Sequence, residues 1–410
     1  MPSSRLYLDN AATSFPKPAA VYEAMFRYAT EIGATPGRAN YAESREGGRL
    51  IFQCRERLNT LINGESAHHI VFTLNTTDAL NLAIKGLVRH ARRTRPGRAV
   101  HLVTTELDHN SVLRPFNALA DEGVEWTCVP CDAEDGVVDP GLIYRAIRAE
   151  TVLVAVVHAS NVTGTIQRAS EIGAVCRETG VPFLLDAAQT LGHIGVDVRE
   201  LNVDLLAFPG HKGLLGPLGT GGLYIRPGLE RSLDTVREGG TGTVSELDRQ
   251  PDVMPDKYEP GSHNALGIVG LSEAVAYLLS EVVPGGFEHE RALIRTMLGH
   301  LAHPRLEDFR LLGTTDAGRR VGVFSLVHPS LGPRQVADLL ESKFGILARS
   351  GLHCAPRAHA ACGTLNGSVQ TRGALRVSFG SFVTIADVDR LADALAAIAA
   401  GAPAAQRASL

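Results

Sequence analysis

Between residues 70 and 225 short apolar runs alternate with longer amphipathic stretches. Residues 70–74, 99–104, 124–129, 151–158, 183–186, 205–208 and 222–225 have the length and apolar content of strands. The run from Thr151 to His158 is apolar almost throughout, which suits a strand covered on both faces. Helical spacing lies between these runs, over 77–93, 111–122 and 170–179. Strand and helix in alternation predict an α/β architecture with a mostly parallel sheet clad in helices.

After Gly261 the pattern changes. A long apolar helix over 265–280 reads as a connector between domains. Beyond it come a helix, a strand at 322–327, a helix at 333–344, strands at 346–350 and 374–378, and a terminal helix at 385–400. This is the pattern of a smaller α+β domain, on which the first twenty or so residues are expected to pack. The predicted division is a large domain over 16–260, a small domain from 1–15 and 261–405, and a tail at 406–410. Fraying is expected from residue 401 onward. No internal repeat is visible.

Composition narrows the class. With 44% hydrophobic and 20% charged residues in 410, the chain can bury a large core. The formal net charge of −4 gives no basic surplus for nucleic acid. The start, from Met1 to Thr13, lacks the basic and apolar segments of a secretory signal. No apolar run reads as long enough to cross a membrane, and the cysteine usage points to the cytoplasm. Cys54, Cys128, Cys131, Cys176, Cys354 and Cys362 are too sparse for a disulfide framework. Cys128 and Cys131 form a lone CxxC with no second pair to complete a zinc site, so no metal is expected and they read as structural thiols.

The candidate chemistry centres on Lys212. It stands in Phe208-Pro209-Gly210-His211-Lys212-Gly213, ahead of the glycine-rich run from Gly216 to Gly222. Read alone, it would be a solvated surface lysine. Its surroundings change that reading. The apolar strand at 183–186 ends in Asp186, 26 residues upstream, and α/β sheets bind ligands at the carboxyl ends of their strands. A carboxylate at a strand end and a lysine on a later tight loop are what a pyridoxal phosphate (PLP) site requires. The amine forms the Schiff base, and the carboxylate keeps the pyridine nitrogen protonated.

Other segments fall on the same edge. Asn75-Thr76-Thr77-Asp78-Ala79 joins a strand to a helix, where hydroxyls and backbone N–H groups can cradle a phosphate. Glu106-Leu107-Asp108-His109-Asn110 and Ser160-Asn161-Val162-Thr163-Gly164 follow two further strand ends. In this order the motifs resemble the class V aminotransferase family of fold-type I PLP enzymes, and within it the cysteine desulfurases and selenocysteine lyases. The resemblance runs from Tyr7-Leu8-Asp9-Asn10-Ala11-Ala12-Thr13 to Leu375-Arg376-Val377-Ser378-Phe379-Gly380.

The resemblance implies a seven-stranded, mostly parallel sheet and a small C-terminal domain. It implies Lys212 as the Schiff-base lysine and Asp186 as the ring-nitrogen partner, with Asn161 and Gln189 at the ring oxygen. His109 would stack on the ring and carry protons. Thr76, Thr77 and His211 would bind the phosphate. In Glu259-Pro260-Gly261-Ser262-His263-Asn264, Ser262 would reach the phosphate of a neighbouring subunit, which implies a homodimer. Asn10, Ala11, Asn161 and Arg376 would bind substrate, with Arg376 clamping its carboxylate.

Arg349-Ser350-Gly351-Leu352-His353-Cys354-Ala355-Pro356 matches the loop that carries the persulfide cysteine in desulfurases. The adjacent His353 would favour the reactive thiolate, and Cys362 reads as structural. The implied reaction turns L-cysteine into L-alanine and leaves sulfur on Cys354 for an acceptor protein. The sequence departs from its relatives at Pro209, where a phosphate-binding serine is common. It departs again at Val383, where asparagine is common, and in a longer stretch between Cys354 and Arg376. These departures leave open a selenocysteine lyase, a cysteine C–S lyase, or an aminotransferase or epimerase of the same fold.

Overall fold

The computed structural model describes residues 5–37, 39–368 and 371–402; the tail predicted at 406–410 lies outside them. The chain opens with strand β1 (Leu6–Tyr7) and helices α1 (Ala19–Arg27) and α2 (Ala42–Leu61). Strand β2 (Ile70–Thr73) leads into α3 (Thr76–Thr94). There follow β3 (His101–Thr105), α4 (Asn110–Ala120), β4 (Glu125–Val129), α5 (Pro140–Ala146) and β5 (Thr151–Val157). Then come α6 (Ala169–Thr179), β6 (Phe183–Asp186), β7 (Leu205–Pro209) and β8 (Gly221–Ile225).

Seven of these strands form one sheet in the order β2-β8-β7-β6-β5-β3-β4. Only β8 runs antiparallel to its neighbours. The predicted mostly parallel sheet is therefore present, with all seven predicted strands. One apolar cluster packs each face: Val154, Val156 and Leu185 point to one side, Leu153, Ala155 and Leu184 to the other. That two-sided burial is why these strands lack polar alternation.

The remaining elements are α7 (Ala265–Tyr277), α8 (Glu288–Leu301), β9 (Arg310–Leu311), β10 (Val323–Val327), α9 (Pro333–Phe344), β11 (Ile346–Leu347), β12 (Arg349–Gly351), α10 (Pro356–Ala361), β13 (Ala374–Ser378) and α11 (Ile385–Ala400). A four-stranded antiparallel sheet, β12-β13-β10-β9, has its own core, which includes Leu6 and Leu8. The expected packing of the N-terminal residues on this part is present: β1 pairs with β11, and Leu8 is fully buried.

Two expectations change. The strand predicted over 346–350 is two strands in different sheets, β11 with β1 and β12 with β13, separated at Ala348. An apolar run also reaches membrane-spanning length after all. Ala265–Val282 is an 18-residue helical segment of mean hydropathy 1.5, half of it buried. Ile268, Leu271 and Val275 join the large core beside Ile51 and Leu58 of α2, so its apolarity serves packing.

The two parts meet beside the carboxyl edge of the large sheet. Arg320, 2% exposed, donates to the carbonyls of Val323 at 2.6 Å and Thr163 at 3.3 Å and lies over the Phe324 ring. Gly164 completes the contact at φ +73°, where a Cβ would lie 2.4 Å from the Val323 carbonyl oxygen. The loop carrying Asn161 is thereby fixed against the second sheet.

Candidate active site

The carboxyl ends of β5, β6 and β7, the first turn of α3 and the turn after β12 surround one cavity. Thr76, Thr77, His109, Asn161, Asp186 and Gln189 line it, as do Ala11, His211, Lys212, Cys354 and Arg376. A larger cavity of about 700 Å³ opens at the opposite edge of the sheet among Arg95, Arg177, Arg199 and Arg226. It has no lysine on its wall, so the candidate chemistry stays at the carboxyl edge.

Lys212 sits on a turn that only a missing side chain permits. A Cβ on Gly213 would lie 2.4 Å from the Leu191 carbonyl oxygen. Burial pushes the Lys212 amine down to about 8, against the opposing pull of Asp186. A free amine is therefore accessible near neutral pH. Asp186 is 2% exposed and accepts one hydrogen bond, from Ala188 N at 2.9 Å. Burial raises its carboxyl to about 6, and Lys212 opposes that rise. A cationic N–H brought against Asp186 would return it to the carboxylate form.

His109 caps α4. Its Nδ1 accepts from Ser111 N at 3.1 Å and lies 2.8 Å from Ser111 Oγ. Burial, with Lys212 next, pushes it down to about 4, so the ring is neutral at pH 7. Ser111 Oγ also lies 2.8 Å from Thr77 Oγ1, so one hydroxyl ties the ring to the α3 turn. Asn75 caps that helix by accepting from Asp78 N at 3.0 Å. Thr76 and Thr77 thus stand at the positive end of a 19-residue helix, a place suited to an anion. His211 adds a ring there, and Pro209 lines the cavity without offering a hydroxyl.

At the other end Arg376 is 2% exposed and already engaged. Its Nη2 lies 2.8 Å from Asp9 Oδ1 and its Nη1 3.3 Å from the Asn161 carbonyl oxygen. Nε has no partner among the described residues. The predicted clamp is held by Asp9 rather than presented as a free fork. Asn161 Nδ2 donates to the His353 carbonyl at 2.7 Å, and Gln189 Nε2 to the Ala11 carbonyl at 3.1 Å.

Cys354 is exposed and stands on a sharp turn, with His353 at φ +49° and Cys354 at φ +58°. Non-glycine residues rarely adopt that conformation, so the turn is held from outside. Asn110 N donates to the Cys354 carbonyl at 2.9 Å, and Asn161 holds the His353 carbonyl. The other five cysteines are also unpaired. Burial pushes Cys54 and Cys131 up to about 12, which keeps them as thiols.

Four wall atoms fit a polar guest. Asn161 Oδ1, His211 Nδ1, His353 Nε2 and Arg376 Nε are buried with no hydrogen-bond partner among the described residues. Unmatched polar atoms gathered in one cavity point to a ligand that satisfies them.

Two predicted residues do not line the cavity. Asn10 turns its amide to the Ser378 carbonyl at 3.1 Å and to Phe15 N at 3.3 Å, so it braces the N-terminal segment instead. Ser262 is exposed on its loop, outside the cavity. Three polar wall residues had been given no role by the sequence: Asn75, Ser111 and Arg349. Arg349 lies in the stretch that carries Cys354, and its spacing was the available signal.

Known proteins resemble the chain over most of its length. A model of the family described as aminotransferase class-V matches residues 6–391. A probable cysteine desulfurase of Methanothermobacter thermautotrophicus is 35% identical over 399 residues, covering 96% of this chain and 94% of that protein. The cysteine desulfurase IscS of Clostridium botulinum is 30% identical, covering 96% and 94%. Among solved structures, an apo cysteine desulfurase from Thermococcus onnurineus superposes with a TM-score of 0.86 at 31% identity, covering 97% of this chain and 95% of that one. The cysteine desulfurase CsdA of Escherichia coli gives 0.84 at 26% identity, covering 98% and 96%.

Proposed function

The chain belongs to the aminotransferase class-V family, and from that premise we propose that it is a PLP-dependent cysteine desulfurase. It converts L-cysteine and the Cys354 thiol into L-alanine and a Cys354 persulfide, which a sulfur-acceptor protein then discharges. The observation that carries this reading is the presence of Lys212, Asp186 and Cys354 on one cavity wall.

Asp186 would hold the pyridine nitrogen, and Asn161 with Gln189 the ring oxygen. Thr76, Thr77 and His211 would hold the phosphate. PLP supplies an aldehyde that captures amines and a ring that accepts electrons from the α-carbon. The protein does the rest. Lys212, with its depressed basicity, takes the α-proton. Arg376, steadied by Asp9, orients the substrate carboxylate through its unpaired Nε. His109 is neutral and can carry a proton near the substrate sulfur. The Cys354 thiolate attacks that sulfur: the S–S bond forms, the C–S bond breaks, and its electron pair leaves with carbon. That carbon later gains a proton to complete alanine. No outside oxidant or reductant is required.

We also propose a division near residue 260 and a homodimer in which Ser262 serves the partner's phosphate site. Exposed Tyr22 and Phe26 on α1, with Leu218 and Leu266 nearby, support an apolar contact face.

The first test is the product spectrum. Purified protein given L-cysteine should yield alanine, with sulfide appearing when a thiol reductant is present. Pyruvate as the main product would replace this reading with a C–S lyase.

A further inference from the structure

Cys354 borders two cavities. One is the candidate active site. The other, of about 370 Å³, lies between α3 and α4 and shares Thr77, His109, Ser111 and Cys354 with the first. Thr77, Asn81 and Lys85 recur every four residues on α3, and Asn110, Arg114 and Ala118 on α4, so each helix gives one face to this groove. The helices meet at their first turns, where Thr77 Oγ1 lies 2.8 Å from Ser111 Oγ. Cys354 stands at that end, since Asn110 N donates to its carbonyl at 2.9 Å. Arg114 is one turn further along α4 and Lys85 two turns further along α3, which is about 6 Å and about 12 Å at the rise of a helix.

No carboxylate lines the groove. Lys85 is half-buried and Arg114 exposed, and neither makes a hydrogen bond or an ion pair among the described residues. The arginines of α3 differ: Arg89, Arg92 and Arg93 are paired with Glu238, Glu122 and Asp234. Two free cations with no anion beside them attract negative charge. The reach excludes a single amino acid as the guest. The carboxylate of free cysteine lies only a few bonds from its sulfur, whereas about four extended residues cover about 12 Å.

We propose that this groove docks the sulfur acceptor, and that the acceptor presents its thiol beside an extended acidic segment held by Lys85 and Arg114. The inference rests on Cys354 carrying the persulfide of the proposed reaction. Sulfur received on one side of Cys354 is handed on from the other. The acceptor thiolate attacks the outer sulfur: a new S–S bond forms, the bond to Cys354 Sγ breaks, and its electron pair leaves as the Cys354 thiolate. No oxidant or reductant is consumed.

The test uses two synthetic peptides with one cysteine each, one rich in glutamate and the other its glutamine twin. Protein charged with persulfide by L-cysteine, then freed of excess substrate, is mixed with each. Persulfide on Cys354 is followed by mass spectrometry, with rates compared per thiolate. The acidic peptide should discharge it about tenfold faster. Salt at about 1 M, where the screening length falls to about 3 Å, should remove most of that advantage. Lys85→Gln with Arg114→Gln should remove it too, and should leave alanine release with a neutral thiol reductant within about twofold of wild type, since neither residue lines the active-site cavity. Lys85→Glu with Arg114→Glu should turn the preference toward a lysine-rich peptide, which a misfolded groove could not do. Equal discharge by the two peptides in wild type, or an acidic preference that survives in the glutamine double variant, overturns the proposal. Failure of the desulfurase reading looks different, since wild-type protein would then form no Cys354 persulfide from L-cysteine. The groove is then tested alone on protein whose Cys354 carries a 2-pyridyl disulfide. There the peptide thiolate bonds to Sγ as 2-thiopyridine leaves, and its release is read by absorbance. The same acidic preference is expected, and its absence overturns the groove.

Discussion

At the scale of single residues, burial sets the chemistry. The cavity pushes Lys212 down to about 8 and Asp186 up to about 6, each chiefly by desolvation. The two groups restrain one another, since each favours the charged form of its partner. Asp186→Asn removes the carboxylate and keeps the shape. The variant should bind PLP more weakly and lose turnover about 100-fold or more, because a neutral partner does not hold a protonated pyridine. Steady-state alanine release, with cofactor retention read by absorbance, checks this. Turnover within a few-fold of wild type would remove Asp186 from its assigned role. Lys212, Asp186 and Cys354 were legible from sequence because each sits in a motif whose chemistry needs that residue type. The contact of His353 with His359 was not legible, since the two rings meet only when α10 folds back.

At the scale of elements, the large sheet was legible strand by strand because both its faces are buried and the runs are continuously apolar. Helix α2 was missed. Gly47 and Gly48 interrupt its propensity, yet Gly47 is there to admit a neighbour, with a Cβ lying 3.2 Å from the Tyr28 hydroxyl. The split of 346–350 was hidden too, because a change of sheet at Ala348 leaves the apolar pattern unbroken. A long-range ion pair was equally invisible. Arg55 of α2 meets Glu259 through two contacts of 2.6 and 2.7 Å, both side chains nearly buried, and Glu259 also accepts from Phe72 N at 2.6 Å. This pair fastens the start of the Ser262 loop to α2 and β2. Glu259→Gln would leave a buried guanidinium without its carboxylate, at a cost of about 3–5 kcal/mol. Urea denaturation should show that loss. In Arg55→Met with Glu259→Met the loss should be smaller, because no charge is stranded. A double variant worse than Glu259→Gln would refute a paired-charge origin.

At the scale of the whole molecule, two expectations extend beyond a single chain or site. If Ser262 completes the partner's site, Lys212→Ala and Ser262→Ala subunits should complement when mixed, since one of the two sites then has both residues intact. A fully active monomer by sedimentation would end that proposal. The other expectation concerns pH. Burial pushes His101, His109, His158, His211 and His359 down to about 4 and holds His353 well below its ordinary value. An unfolded chain protonates these rings near 6.5, so between about 6.5 and 4 it binds more protons than the folded one. Stability from these six groups is therefore complete above that window and lost as pH falls through it. Two carboxyls act in the opposite sense. Asp108 and Asp186 are raised by burial to about 7 and about 6, so their contribution is present at low pH and fades as pH rises. Six groups against two make the histidines dominant near pH 5. Urea midpoints should fall steeply from pH 7 to pH 5. His158 isolates the effect, being buried, bonded to Thr190 Oγ1 at 3.0 Å and absent from the cavity wall. His158→Asn should lower stability at pH 7 and flatten the pH profile by about one proton's worth of slope, or about 1.4 kcal/mol per pH unit at most. A variant whose profile runs parallel to wild type throughout would show that His158 is not neutral in the folded state, and would count against burial as the source of acid sensitivity.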